Sequence, residues 1–170
     1  MIRLRAPEFG DIDFLMETEN SDEQQKETAV ATGPYSRYQM EQYVKQSTNN
    51  VFRDLQLRLM IEDSASRQTM GIVDVTDFNP RHNRAEIGIF ISPRFRGKGI
   101  ATRALEIMKR HCLETLAMHQ LYAYIRHDNE PCVRLFEKAG FERAGRLKDW
   151  VTVRGRHEDV FIYQIKNIGN

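Results

Sequence analysis

The stretch from Ala85 to Leu116 narrows the folds open to this 170-residue chain more than any other. It begins with Ala85 to Ser92, nearly all apolar, the pattern of a central strand covered on both faces. Pro93 stops it. Arg94-Phe95-Arg96-Gly97-Lys98-Gly99-Ile100-Ala101 follows. Ala101, Ala104, Leu105, Met108, Cys112 and Leu116 then recur at steps of three and four, which predicts an amphipathic helix from Gly99 to about Leu116. A strand feeding a helix through a tight glycine loop calls for helix packed on sheet.

The loop has its own chemistry. Gly97 and Gly99 let the backbone turn tightly and approach a ligand with no Cβ in the way. The helix that starts there aims unpaired N–H groups into the loop. Arg94, Arg96 and Lys98 add positive charge around it. The segment suits an anion, and a pyrophosphate fits. It is not a P-loop, because Lys98 lies between two glycines and no Ser or Thr follows it. The dinucleotide fingerprint also fails, since residue 102 is Thr and the site lies mid-chain after three strands. Taken alone, the loop suits a phosphate site and a Gly-rich turn with a solvated basic rim equally well.

The rest of the chain reads as one domain over residues 1–170, with no repeat and no low-complexity segment. Residues 2–6 predict a strand, and Glu8 to Glu19 a helix with Phe9, Ile12, Leu15 and Met16 on one side. A second helix is expected from Arg37 to Ser47. Leu55, Leu57, Leu59 and Ile61 alternate with polar or longer residues, as in a half-buried strand, and Gly71 to Phe78 predicts another. Leu121 to Arg126 reads as a strand, Asn129 to Ala139 as a helix capped by Gly140, and two last strands flank Arg154-Gly155. The expected fold class is α/β (α+β): a mixed sheet with helices on both faces.

Composition excludes several functions. Hydrophobic residues make up 41% and charged residues 29%, which is ordinary for a globular chain, and the net charge of +1 gives no case for nucleic acid or an acidic membrane. Met1-Ile2-Arg3-Leu4-Arg5 lacks the apolar core of a signal peptide, and no apolar run reaches the length of a membrane span. Cys112 and Cys132 stand alone, without metal-ligand spacing. The expectation is a cytoplasmic, reduced, metal-free protein. The charge is unevenly placed, however. Residues 1–30 hold eight acids, among them Glu17, Glu19, Asp22, Glu23 and Glu27, against three bases; residues 81–110 hold eight bases against two acids.

The pattern Arg94-x-x-Gly97-x-Gly99-x-Ala101 after a strand resembles the pyrophosphate loop of the GNAT N-acetyltransferase superfamily. Asn129 to Phe141, an Asn-led helix ending in Gly140-Phe141, resembles that superfamily's second signature. The opening Leu4-Arg5-Ala6-Pro7-Glu8, with Asp11 and Phe14, is similar to the branch of ribosomal-protein N-terminal acetyltransferases and spermidine acetyltransferases. The resemblance implies a mostly antiparallel sheet splayed between two parallel central strands, here residues 85–92 and 121–126, with acetyl-CoA in the opening.

By that resemblance the backbone of Ile89, Phe90 and Ile91 would pair with the pantetheine arm, and an N–H near Phe90 or Ile91 would polarise the thioester carbonyl. The amides of Arg96, Gly97, Lys98, Gly99, Ile100 and Ala101 would hold the pyrophosphate, with Arg94 and Thr102 beside them. Asn129 and Phe136 would line the pantetheine. The implied reaction is direct attack of a primary amine, polyamine-like or a protein N-terminus, on acetyl-CoA in a ternary complex. Glu86 is the candidate base, with an ion pair to Arg84 as its other reading. Phe136 stands where many relatives place a Tyr as general acid, so Tyr122 or Tyr124 is the substitute phenol, with Tyr124 preferred. That Phe also keeps open a catalytically silent acyl-CoA-binding or interaction module on the same fold. Glu17, Glu19 and Asp74 would favour a cationic acceptor, their alternative being a solvated acidic face. The implied partners are acetyl-CoA and a cationic amine, with no metal, nucleic acid or membrane. A homo-oligomer is open, since relatives range from monomers to large rings.

Overall fold

A computed structural model of the chain describes residues 1–22 and 33–167. Glu23 and Glu27 of the acidic block lie outside the described residues. Strand β1 (Ile2–Arg5) leads through a 3-10 turn at Phe9–Asp11 into helix α1 (Ile12–Glu19), and α2 follows at Arg37–Gln46. A short helix, α3 (Val51–Asp54), then precedes strands β2 (Leu57–Asp63), β3 (Thr69–Asn79) and β4 (Arg84–Ile91). Helix α4 (Ile100–Arg110), strand β5 (Gln120–Arg126), helix α5 (Glu130–Lys138) and the hairpin β6 (Glu142–Val153) and β7 (Arg156–Lys166) complete it.

The seven strands form one sheet in the order β1-β2-β3-β4-β5-β7-β6. Every neighbouring pair is antiparallel except β4 and β5. Apolar alternation gives each face its cover. Val73, Val75, Ala85, Ile87, Leu121, Ala123 and Ile125 pack with Ala104, Leu105 and Met108 of α4 and Phe136 of α5. On the opposite face Met60 and Ile72 pack with Ile12 and Leu15 of α1 and Met40 of α2. The sheet thus carries helices on both sides, as the periodicity predicts.

Three local features depart from the sequence reading. β4 is covered on only one face: Gly88 is exposed in mid-strand, and Glu86 and Phe90 are half-buried beside it. The long helix changes its hydrogen-bonding pattern in its last turn. After Arg110 it widens into a π turn over His111–Thr115, with Leu116 N–H bonded to His111 O at 2.9 Å, and stops at Ala117 in the left-handed region. The third is α3, too short for any period to reveal, whose start is capped by Asn50 accepting from Phe52 N–H.

The pairing of β4 with β5 is brief. It comprises Arg84 with Gln120, Ala85 with Leu121 and Glu86 with Tyr122, although β4 runs on to Ile91 and β5 to Arg126. Asn83 ties the two starts together: its carbonyl accepts from the N–H of His119 at 2.8 Å, and its side chain donates to Ala117 O at 2.8 Å. Beyond Glu86 the strands part.

Close backbone approach holds the other edge of β4. A Cβ built on Gly71 of β3 would lie 2.3 Å from Phe90 O and 3.2 Å from Ile91 Cα, both backbone atoms that cannot swing aside. Gly71→Ala should therefore destabilise the chain by about 1–3 kcal/mol. Urea unfolding would show this as a lower midpoint with an unchanged slope.

Candidate active site at the fork of the sheet

The fork is a cleft whose walls are β4 and β5 beyond their last shared rung. Ser92 N–H donates to Met70 O across the β3 side at 3.0 Å. By the alternation of an antiparallel ladder, Ile91 and Ile89 turn their N–H and C=O groups to the other edge, toward β5. Phe90 turns its own N–H to β3, so of the two amides expected as carbonyl donors only that of Ile91 faces the cleft. Gly88 adds no side chain; a Cβ built there would meet nothing within 4 Å.

The cleft opens toward two helix N-termini, since α4 and α5 each follow the C-terminal end of a parallel strand. Gly97 (φ 75) and Gly99 (φ 71) both adopt the left-handed conformation, and a Cβ built on either would meet nothing within 4 Å. Gly99 is the N-cap of α4, with no side-chain cap, and its carbonyl takes the first helical bond from Arg103 N–H at 3.2 Å. The N–H groups of Ile100, Ala101 and Thr102 consequently have no acceptor within the helix. Arg96 Nε donates to Ile91 O at 2.9 Å and so fastens the loop to the end of β4. Arg94 and Lys98 stack on the Phe95 ring, 5.0 and 5.6 Å from its centroid. A bare turn with two left-handed glycines, free helical amides and three cations suits a diphosphate in shape and charge.

At α5 the expected residues serve other ends. Asn129 is the N-cap, its Oδ1 accepting from Cys132 N–H at 3.3 Å. Phe136 is only 2% exposed and packs edge-on against Phe141 at 4.9 Å. Its ring belongs to the core, which corrects the expectation that it lines the cleft.

Polar chemistry gathers on the fork face of the last rung. Thr76, Glu86 and Tyr122 lie side by side across β3, β4 and β5. Burial raises the Glu86 carboxyl above the usual carboxylate range, and the charge of Asp77 adds to this. Tyr122, buried, donates its hydroxyl to Asp77 Oδ2 at 2.6 Å, and burial together with that acceptor raises its phenol too. Tyr124, the preferred phenol, is 43% exposed and stands edge-on to Tyr122 at 5.6 Å. No local pattern announces the bond between Asp77 and Tyr122, because it joins strands that are not neighbours.

A cavity of about 240 Å³ lies on the same face, lined by Glu19, Met40, Tyr43, Arg58, Asp74 and Thr76 among others. Thr76 is the rung partner of Glu86, so this cavity ends one strand from the fork. The structure brings Glu19 and Asp74 together here but leaves Glu17 exposed and outside the lining. Neither acid is unopposed. Arg58 makes a bidentate pair with Asp74, at 2.8 Å for each bond, and reaches Glu19 at 2.6 Å. It also lies 5.5 Å from the centroid of Tyr43. Asp11 and Asp13 are likewise held by Arg5 and Arg37. Three acids of the N-terminal block, Asp11, Asp13 and Glu19, are thus each paired with an arginine. The cavity trio of two acids and one base keeps a net charge of −1.

Comparison with known proteins bears on this geometry. The family model for the acetyltransferase (GNAT) domain matches residues 2–142. The chain is 29% identical over 161 residues to spermidine N(1)-acetyltransferase of Vibrio cholerae, covering 94% of this chain and 89% of that protein. It is 28% identical over 95 residues to a putative ribosomal N-acetyltransferase of Bacillus subtilis, covering 56% and 52%. The crystal structure of the Vibrio cholerae spermidine N-acetyltransferase in complex with CoA and spermine matches with a TM-score of 0.87 and 26% identity, over 98% of this chain and 95% of that one.

The Arg58 pairs are mostly buried, so removing the cation strands two carboxylates. Arg58→Met should cost about 2–3 kcal/mol, somewhat below the loss for a fully enclosed pair. Adding Glu19→Gln and Asp74→Asn should return part of that loss in denaturant titrations.

Proposed function

The chain belongs to the GNAT acetyltransferase family, and on that premise we propose that it acetylates a primary amine, polyamine-like or a protein N-terminus, by direct attack in a ternary complex. The single observation that carries the site assignment is the junction of a bare, cationic glycine loop with a sheet that forks after Glu86. Acetyl-CoA supplies the activated acyl group and a thiol leaving group. The spermidine acetyltransferases among the relatives support a cationic acceptor, and the net negative cavity beside the fork agrees with them.

Each residue then has a task. The amides of Gly97 to Ala101, with Arg94, Lys98 and Thr102 beside them, hold the diphosphate; the Arg96 N–H, expected among them, already donates to Pro93 O at 3.2 Å. The unshared edge of Ile89 pairs with the extended arm as a further strand would, while the Ile91 carbonyl is already held by Arg96. The N–H of Ile91 donates to the thioester carbonyl oxygen, where negative charge grows. An alkylammonium has a pKa of about 10.4 and must lose a proton before it attacks. Glu86 takes that proton, through water, and its raised pKa makes it a better base than an ordinary carboxylate. A thiol of pKa about 8.5 departs without obligatory protonation, so a fixed general acid in place of Phe136 is not required. Tyr124, exposed at the fork, is the phenol placed to assist.

Thiol release from acetyl-CoA, screened against polyamines, amino acids and N-terminal peptides, should identify the amine class. Release no faster than hydrolysis with every amine would contradict the proposal. Calorimetric titration of acetyl-CoA should saturate for the unchanged chain and give no heat for Gly99→Glu. Glu86→Gln should lower kcat by about 10²–10⁴. In the unchanged chain kcat/KM should fall as pH drops through a value above the ordinary carboxylate range, and Glu86→Gln should abolish that limb.

A further inference from the structure

Asp77 lies where β3 loses register with β4, between Thr76 and Asn79, and its backbone is left-handed at φ 49. A non-glycine residue holds that conformation at some cost, which Asp bears better than most. The bend carries the Asp77 carboxylate over β4 to the Tyr122 hydroxyl on β5, 2.6 Å away. Glu86 is on the strand that this bond crosses, and its rung partners are Thr76 and Tyr122. Glu86 and Tyr122 therefore share the last rung before the sheet forks, and the Asp77 carboxylate reaches the phenol from the bulge beside it.

We propose that Asp77 is a positioning residue of the acetyl transfer: it fixes Tyr122 at the fork and, through its charge, tunes the proton affinity of Glu86. This rests on the reading of Glu86 as the base. Among the described residues, the titratable groups on the fork face around Glu86 are Asp77 from β3, Tyr122 and Tyr124 from β5, and Arg84 two residues earlier on its own strand. α4 covers the opposite face of β4. Like charges at one site disfavour the second ionisation, so the carboxylate next to Glu86 makes it hold a proton more readily. An incoming ammonium would meet both acids together, with the Tyr122 hydroxyl held on Asp77 Oδ2 beside them.

The test follows the Glu86 side-chain carboxyl by ¹³C NMR through a pH titration, with the signal assigned by its loss in Glu86→Gln. Asp77→Asn keeps an acceptor for Tyr122 and removes the charge. The Glu86 midpoint should fall by about 0.5–1 pH unit, and the acid limb of kcat/KM should move with it. Acetyl-CoA affinity, set at the glycine loop, should stay within about twofold and so report an intact fold. Tyr122→Phe, which keeps the charge and removes the tether, should lower kcat more than it changes KM. It should leave the Glu86 midpoint within about 0.3 pH unit of the unchanged chain, and the loss of kcat with little change in KM tests the tether even if Asp77→Asn does not fold. An unmoved Glu86 midpoint in Asp77→Asn, or equal shifts in the two variants, would overturn the role given to Asp77. Because NMR titration needs no turnover, a chain that acetylates no amine would contradict the proposed function and leave this test standing.

Discussion

Two parallel strands that share only three rungs determine the working parts of this molecule. Arg84 to Glu86 pair with Gln120 to Tyr122, and beyond them β5 keeps β7 as its partner while β4 keeps β3. Asn83 pins the two starts together through backbone and side chain. The remaining five residues of β4 then expose one edge of backbone polar groups, which in an ordinary sheet interior would be unsatisfied. A sheet keeps such an opening where something else supplies the missing strand. On the proposed function, the fork creates the demand and the extended arm of acetyl-CoA would meet it.

The other parts take their place from that opening. Both helices that follow the parallel strands point their N-termini at it, and the glycine loop leaves its amides uncovered there. Gly88 is bare for the same reason. Arg96 links loop to strand through Ile91 O, which joins the glycine loop to the strand edge. Titratable groups collect where the strands separate, and the half-enclosed last rung is dry enough to raise Glu86.

Much of this was legible in the sequence, for identifiable reasons. Apolar spacing in Ala104, Leu105 and Met108 and the capping glycines Gly99 and Gly140 are local signals, and they give α4, α5 and the loop almost to the residue. Net charge by segment was a poorer guide. The acids of the N-terminal block look like a field when counted along the chain, but Arg5 within the block holds Asp11, and Arg37 and Arg58 come from later in the chain to pair with Asp13 and Glu19. Phe136 failed for a related reason: helical spacing gives a face, while packing against Phe141 decides what that face meets. The Asp77–Tyr122 bond was beyond reach, because it depends on a bulge in β3 and on the order of three strands.

The central claim is that acetyl-CoA completes the sheet along β4 beyond the fork. Amide hydrogen exchange at Ile89 and Ile91, followed by NMR with and without acetyl-CoA, tests it most directly. Both amides should exchange readily in the free chain and become strongly protected at saturation, while those of Gly88 and Phe90, already paired with β3, should change little. Saturable binding of acetyl-CoA with Ile89 and Ile91 still exchanging at their free rates would contradict the account.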